Sequence, residues 1–206
     1  MMQNKLTIGI TGNSGSGKTT VTNILSEYGG YAIDADLVAH KVMAQGQSGY
    51  KKIVSTFGTE ILEPNQEISR NKLGFIVFND LEKRTLLEQI VHPLVCEEII
   101  NDVKKMSQSH THPFIIIDAV LLVESGLHHY CNSLWLITAA PENRLARITF
   151  RDNLSSEKAQ SRMRNQRDTT AIADIAQVII HNDGDMEALK AQVITKIKEN
   201  CNIEGY

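Results

Sequence analysis

No apolar run in this 206-residue chain approaches the roughly 18 residues that a membrane span needs. The longest, Phe114–Val123, is interrupted by Asp118. Met1-Met2-Gln3-Asn4-Lys5 leads into only a short apolar stretch before glycines begin, and no small-residue cleavage site follows. A secretory leader is therefore not expected. Cysteine is scarce: Cys96, Cys131 and Cys201 stand far apart and form no Cys-x-x-Cys. That pattern indicates neither a disulfide framework nor a zinc site, and the expected setting is a reducing cytoplasm. There is no internal repeat and no low-complexity segment. With 42% hydrophobic and 22% charged residues, disorder and fibrous structure are excluded and one folded domain with inserts is expected.

The net charge of −3 argues against general nucleic-acid binding, but its distribution is uneven. Residues 144–167 carry Arg144, Arg147, Arg151, Lys158, Arg162, Arg164 and Arg167 against Asp152 and Glu157, a local charge of +5 on a chain that is otherwise acidic. A basic patch of this kind suits a local anionic ligand.

Short β-branched runs at Lys5–Thr11, Tyr31–Asp34, Phe114–Asp118, Leu134–Ala139 and Val178–His181 read as strands. Phe114–Asp118 lacks polar alternation, as expected of a strand covered on both faces. Helical spacing marks Lys18–Tyr28, Leu37–Ala44, Tyr50–Phe57, Asn71–Phe78, Leu81–Ile90, Pro93–Met106, Glu142–Phe150, Ser155–Gln166 and Met186–Glu199. Strands separated by helices imply an α/β protein with a parallel sheet covered on both faces. Residues 41–108 show no clear strand and read as a helical insert.

One motif is specific. Gly12-Asn13-Ser14-Gly15-Ser16-Gly17-Lys18-Thr19 completes G-x-x-x-x-G-K-[ST], between a strand and a helix. Background composition produces this pattern in roughly 1% of chains of this length. Its glycines let successive N–H groups converge on a phosphate, and the helix start adds positive partial charge. Asn13, Ser14, Gly15, Ser16, Gly17, Lys18, Thr19 and Thr20 are the candidate nucleotide contacts. Lys18 can reach the β- and γ-phosphates, and the Thr19 hydroxyl can ligate Mg²⁺. No Asn-Lys-x-Asp accompanies the loop, because Asn4-Lys5-Leu6-Thr7 and Asn71-Lys72-Leu73-Gly74 both fail to complete it. A guanine switch is thereby disfavoured. The short chain, with the loop at its start, suits a small-molecule kinase.

Such a kinase needs a carboxylate to position or deprotonate its acceptor. Asp34-Ala35-Asp36 follows the second strand, where ligands of open α/β sheets bind. Two readings stay open for Asp34: a carboxylate of the site, or the N-cap of a helix beginning at Ala35. Asp118, ending an apolar strand, is placed to hold a metal-bound water near Thr19. Glu124 can bind polar groups of the substrate. Arginines of 144–167 suit a lid over a phosphoryl group, with Arg147 and Arg151, four apart on one helix face, as first choices and Arg144 in reserve. Such a lid is expected to be mobile without nucleotide, its arginines repelling one another.

Taken in order, the loop, Asp34-Ala35-Asp36, His92-Pro93, Asp118…Leu121-Leu122…Glu124 and the arginine-rich stretch resemble the dephospho-CoA kinase family over roughly residues 5–200. The family's Phe-Gly…Asp-Arg…Leu…Val-Phe stretch appears as Phe57-Gly58, Ser69-Arg70, Leu73 and Val77-Phe78. Its lid spacing appears as Arg147, Arg151, Arg162 and Gln166, and its Asn-x-Gly as Asn182-Asp183-Gly184. Val120, Val123, Gln177 and Ser69 depart from the family pattern. The resemblance implies a P-loop NTPase, nucleoside-kinase-like three-layer fold: a five-stranded parallel sheet with a helical substrate insert and a lid. It implies one kinase domain over 1–206, with the nucleotide core at 1–40, 109–141 and 172–206, the insert at 41–108 and the lid at 142–171. It implies transfer of the ATP γ-phosphate, with Mg²⁺, to the ribose 3′-hydroxyl of dephospho-CoA, the last step of coenzyme A biosynthesis. In that scheme Asp36 is the base; Asp36, His92, Leu121 and Glu124 meet the acceptor; and the adenine lies near Asn182. His92 has a second reading, as the residue before a proline that starts a helix. Kinases of another metabolite, such as a nucleoside, nucleotide or sugar acid, and a non-catalytic ATP sensor are the alternatives.

Overall fold

The computed structural model describes residues 5–166 and 168–201. Met1–Asn4, Arg167, residues 202–206 and the side chains of Asn200 and Cys201 lie outside the described residues. Two compact units form: one runs to Ile33 and resumes at Val103, the other is Asp34–Asp102.

The first unit is built on strands β1 (Leu6–Thr11), β2 (Tyr31–Asp34), β3 (Phe114–Asp118), β4 (Ser133–Thr138) and β5 (Val178–His181). Their order is β2-β3-β1-β4-β5, with β1 parallel to both β3 and β4, and β4 parallel to β5. β1, β3 and β4 are buried along nearly their whole length, so β-branched and aliphatic residues occupy both faces rather than alternating with polar ones. From one face Ile8, Ile10, Phe114, Ile116, Trp135, Ile137, Val178 and Ile180 meet Val21, Ile24 and Leu25 of α1 (Lys18–Glu27). Described beside them are Leu189, Val193 and Ile197 of the last helix, Met186–Cys201. Each such side chain contributes about 1.5–3 kcal/mol on burial. The Trp135 indole N–H donates to Ser133 Oγ at 3.0 Å, so the largest core side chain keeps no unmet donor.

The chain leaves β1 toward β2 and β3 on one side and later toward β4 and β5 on the other. β1 is thus the switch point of the sheet, and ligands of open α/β sheets sit at the carboxyl ends of strands there.

The second unit is helical: α2 (Ala35–Val42), α3 (Ser48–Phe57), α4 (Arg70–Asn79) and most of α5 (Leu81–Ser107). Ile53, Phe57, Ile61, Leu62 and Leu73 form its core, with Leu87, Ile90 and Val91 against them. Beyond helices it holds a 3-10 turn, Thr59–Ile61, and one isolated antiparallel bridge, Leu62–Ile68. α5 corrects the sequence reading. A break was expected at His92-Pro93, because proline lacks the N–H its helix position needs. The helix instead runs on for 27 residues with Pro93 inside. Leu87, Ile90 and Val91 anchor it before the proline, and the buried Val95 and Ile99 after it, so packing outweighs one missing hydrogen bond. His92 therefore lies within a helix and does not precede one.

The remaining elements are a 3-10 turn, Leu127–Tyr130, and the helices α6 (Pro141–Asp152), α7 (Ser156–Arg164), α8 (Thr170–Ala173) and α9, the Met186–Cys201 helix. Among the described residues no helix is long and apolar enough to cross a membrane.

Gly9, in the centre of β1, has no room for a side chain: a Cβ there would stand 2.6 Å from both Cys131 Sγ and Leu122 Cδ2. The Cys131 thiol is itself so buried that its pKa is pushed up to about 12. Gly9→Ala is expected to lose about 1–3 kcal/mol by overpacking. Chemical denaturation should show part of that loss restored when Cys131→Ala is added, and no restoration would mean that the strain lies elsewhere.

Candidate active site

The loop between β1 and α1 is shaped by close approach. At Gly12 a Cβ would meet the Ile137 carbonyl oxygen at 2.2 Å, and at Gly17 it would meet Asn182 Nδ2 at 2.1 Å. Gly17 is also the N-cap of α1, with φ of 97° in the left-handed region, where a Cβ is strained. No side chain caps α1 and no acidic residue stands in its first turn. Its first N–H groups are thus offered to an anion. Ser16 N donates to Asn13 O at 3.1 Å, closing the turn. Lys18 Nζ donates to Gly12 O at 2.8 Å, so its ammonium lies across the loop. Thr19 is exposed and Thr20 half-buried.

Asp118 ends β3 and pairs in register with Ile10 of β1. Its Oδ2 accepts from Thr22 Oγ1 at 2.8 Å. Thr22 lies one helical turn beyond Thr19, so the Thr19 hydroxyl and the Asp118 carboxylate belong to the same side of α1. Hydroxyl and carboxylate oxygens are the donors that Mg²⁺ prefers, and Mg²⁺ takes the rest of its ligands from water and phosphate. The Thr19 hydroxyl and the Asp118 carboxylate are oxygen donors of that kind. The turn after Asp118 is tied back to β1: Ala119 N donates to Ile10 O at 3.1 Å and Thr11 Oγ1 to Val120 O at 3.1 Å. Leu121 is half-buried there and Glu124 exposed.

The arginines of α6 reach the loop. Arg144 Nε donates to Ser14 O at 3.2 Å and its Nη2 to Gln166 Oε1. Arg147 donates to Gly15 O at 3.3 Å and to Asn182 O at 2.9 Å. Arg151 Nη2 donates to Ser14 Oγ at 3.3 Å. Arg144, held in reserve by sequence reasoning, stands beside the loop as the other two do. Nor are these charges unopposed, as the lid argument supposed. Asp152 lies between Arg151 and Arg162, at 2.7 Å from each, and ties α6 to α7. The hydrogen bond from Arg151 draws the Asp152 carboxyl below its ordinary range, and the same bond raises Arg151. Burial lowers Arg144.

The segment after β5 closes the arrangement. Asn182 is buried, and its Nδ2 donates to Ser16 O at 2.8 Å. Asp183 Oδ1 accepts from Ala140 N at 2.7 Å and Asn143 Nδ2 at 3.0 Å. The Ala140 bond first, then that of Asn143, depress its pKa.

In the helical unit, Asp34 is the N-cap of α2, accepting from Asp36 N at 2.8 Å and Leu37 N at 3.2 Å. That settles its two readings in favour of the cap. Asp36 is exposed in the first turn of α2, and His92 is half-buried in α5. Sequence reasoning missed Thr22, Asn143 and Asp183. A threonine one turn after the motif, and an aspartate at the exit of a final strand, are the local signals that pointed to the first and last.

A family model for dephospho-CoA kinase matches residues 6–188. A dephospho-CoA kinase of Moorella thermoacetica is 38% identical over 186 residues, 90% of this chain and 88% of that protein. A crystal structure from Thermus thermophilus superposes with a TM-score of 0.81 at 26% identity, covering 98% of this chain and 100% of that one. The dephospho-CoA kinase from Campylobacter jejuni superposes at 0.71 with 28% identity, covering 95% of this chain and 97% of that one.

Asp152 and Asp183 both have folded pKa values depressed below the ordinary carboxylate value. Their contribution to stability is complete above the unfolded value, about 3.9, and disappears as pH falls through the folded values. Asp183→Asn should lower the thermal midpoint at neutral pH and flatten its fall below about pH 4. Equal acid slopes for variant and parent would remove Asp183 from this account.

Proposed function

Because this chain belongs to the dephospho-CoA kinase family, we propose that it moves the γ-phosphoryl group of ATP onto the ribose 3′-hydroxyl of dephospho-CoA. The observation that supports this reading most is the uncapped start of α1, wrapped by glycine-rich backbone and bordered by Arg144, Arg147 and Arg151. Phosphoryl transfer asks the protein for positioning and for positive charge, and little covalent chemistry.

In this scheme the N–H groups of the loop hold the triphosphate, Asn13–Thr20 line it, and Lys18 turns from Gly12 O to the β- and γ-oxygens. Thr19 would hold Mg²⁺ directly and Asp118 through water, and the ion would supply positive charge to the phosphates. Asp36 accepts the proton as the 3′-oxygen bonds to phosphorus. The bond from phosphorus to the β–γ bridging oxygen breaks, and ADP leaves with the electron pair. Asp34 holds the first turn of α2 and so sets where Asp36 stands. His92, Leu121 and Glu124 are assigned to the acceptor, and Arg147 and Arg151 to the charge that develops on the phosphoryl oxygens. The domain scheme of nucleotide core, helical acceptor region and arginine-rich lid, and a cytoplasmic setting, belong to the same proposal.

Incubation of dephospho-CoA with the protein, ATP and Mg²⁺ should yield an acceptor heavier by one phosphoryl group in the mass spectrum. A panel of nucleosides, nucleotides and sugar acids should give none, and a reversed preference would sink the assignment. Lys18→Ala should lower kcat by about 10²–10³-fold, as loss of a preorganised charge donor does. Asp36→Asn should lower it by about 10²–10⁴-fold with ATP affinity nearly intact. Asp34→Asn should be the milder change.

Nucleotide should also order the arginine segment, closing the site against water. Hydrogen exchange across 142–168 is expected to slow with a non-hydrolysable ATP analogue. Unchanged exchange at saturation would leave these arginines as a static border to the loop.

A further inference from the structure

Asn182 stands at the crossing of three segments, and both ends of its side chain face a partner that dictates its orientation. Its Nδ2 donates to the Ser16 carbonyl at 2.8 Å, inside the fold. Its Oδ1 faces Arg147 Nη2 at 3.5 Å, the outer limit of a hydrogen bond. A carbonyl can only accept and a guanidinium can only donate, so the amide has one orientation that serves both. Its backbone is held as firmly: its N–H donates to Thr138 O at 2.8 Å and its carbonyl accepts from Arg147 at 2.9 Å. The next residue, Asp183, holds the start of α6 through Ala140 N.

The bond to Ser16 has a geometric consequence. A trans peptide is planar, so its carbonyl and the following N–H point in opposite directions. With Ser16 O turned toward Asn182, the Gly17 N–H is turned away from it. Gly17 is the N-cap of α1, and its amide belongs to the group of donors offered to an anion. The Nδ2 atom also occupies the space that a Cβ on residue 17 would need, at 2.1 Å. Arg147 meanwhile ties the preceding carbonyl, Gly15 O, to α6.

We infer that Asn182 is a positioning residue for the phosphate loop: its amide fixes the Ser16–Gly17 peptide plane for triphosphate binding and links that plane to the Arg147 side of α6. It does so from behind the loop, without reading the nucleotide base. This inference rests on the reading of residues 12–19 as the ATP site, and it goes beyond the assignment of Asn182 to the neighbourhood of adenine.

A base contact and a loop brace differ in which ligands they affect. Asn182→Asp keeps the shape, removes the Nδ2 donor and sets a carboxylate against the Ser16 carbonyl. Asn182→Ser is the smaller perturbation, and circular dichroism establishes that each variant is folded. Binding of ATP, GTP and inorganic tripolyphosphate to the full chain is measured by calorimetry without acceptor, so the result does not depend on which acceptor the enzyme takes. The expected result is a loss of affinity of about tenfold or more, from one buried hydrogen bond left unmade. The loss is similar for ATP and tripolyphosphate, and the ATP-to-GTP ratio is unchanged. Loss for ATP alone, with tripolyphosphate binding intact and the base preference altered, would overturn the brace in favour of base contact. Unchanged affinity for all three ligands in either folded variant would overturn it as well. If the parent protein binds neither ATP nor tripolyphosphate, the loop reading fails and this inference fails with it. If the parent binds both but does not phosphorylate dephospho-CoA, only the acceptor assignment falls.

Discussion

Backbone can turn tightly around a phosphate only if the positions crowded by neighbouring chain carry no side chain, and the loop after β1 is built around that restriction. At Gly12 the neighbour that forbids a side chain is the Ile137 carbonyl of β4; at Gly17 it is the Asn182 amide. Neither neighbour can yield cheaply, since one is strand backbone and the other is hydrogen-bonded on both sides. Much of the first unit follows from this. The central strand must end where its neighbours come close. α1 must begin without a capping side chain. The segment after β5 must return to the loop rather than continue past it.

The arginine helix adds a second layer to the same design. Arg144 and Arg147 donate to carbonyls of the loop, which turns those carbonyls outward and leaves their charge beside the place where anions are expected. A guanidinium that donates to a neutral carbonyl keeps its full charge, so holding the loop and attracting an anion do not compete. Asp152 offsets part of the excess at the far end of α6, between Arg151 and Arg162.

What could be read from the sequence was what is local. The strands were visible because buried β-branched runs need no distant information. The motif was visible because its glycines, lysine and threonine are contiguous. Reading failed where a contact spans the chain. The Asn182 bond to Ser16 joins residues 166 apart, and Thr22 and Asp118 stand 96 apart; no spacing rule predicts either. The expected break at Pro93 failed for a related reason: propensity is local, whereas the burial of Ile99 and of Leu73 with its neighbours is not. Asp34 was open between two roles that differ only in where a helix begins, a matter of one residue, and the hydrogen bonds from Asp36 and Leu37 decide it.

Trp135 is the chain's single tryptophan, and it lies fully buried in β4 at the centre of the first unit. Its emission therefore follows the dismantling of the sheet core and carries no signal from the interior of Asp34–Asp102. Far-UV ellipticity, by contrast, draws on helices of both units. The two optical signals weigh the units differently, so comparing their denaturation curves measures how tightly the units melt together. Superposed curves describe one cooperative transition, and displaced curves two. The position of one indole thus makes the coupling between the sheet and helical units accessible without a label.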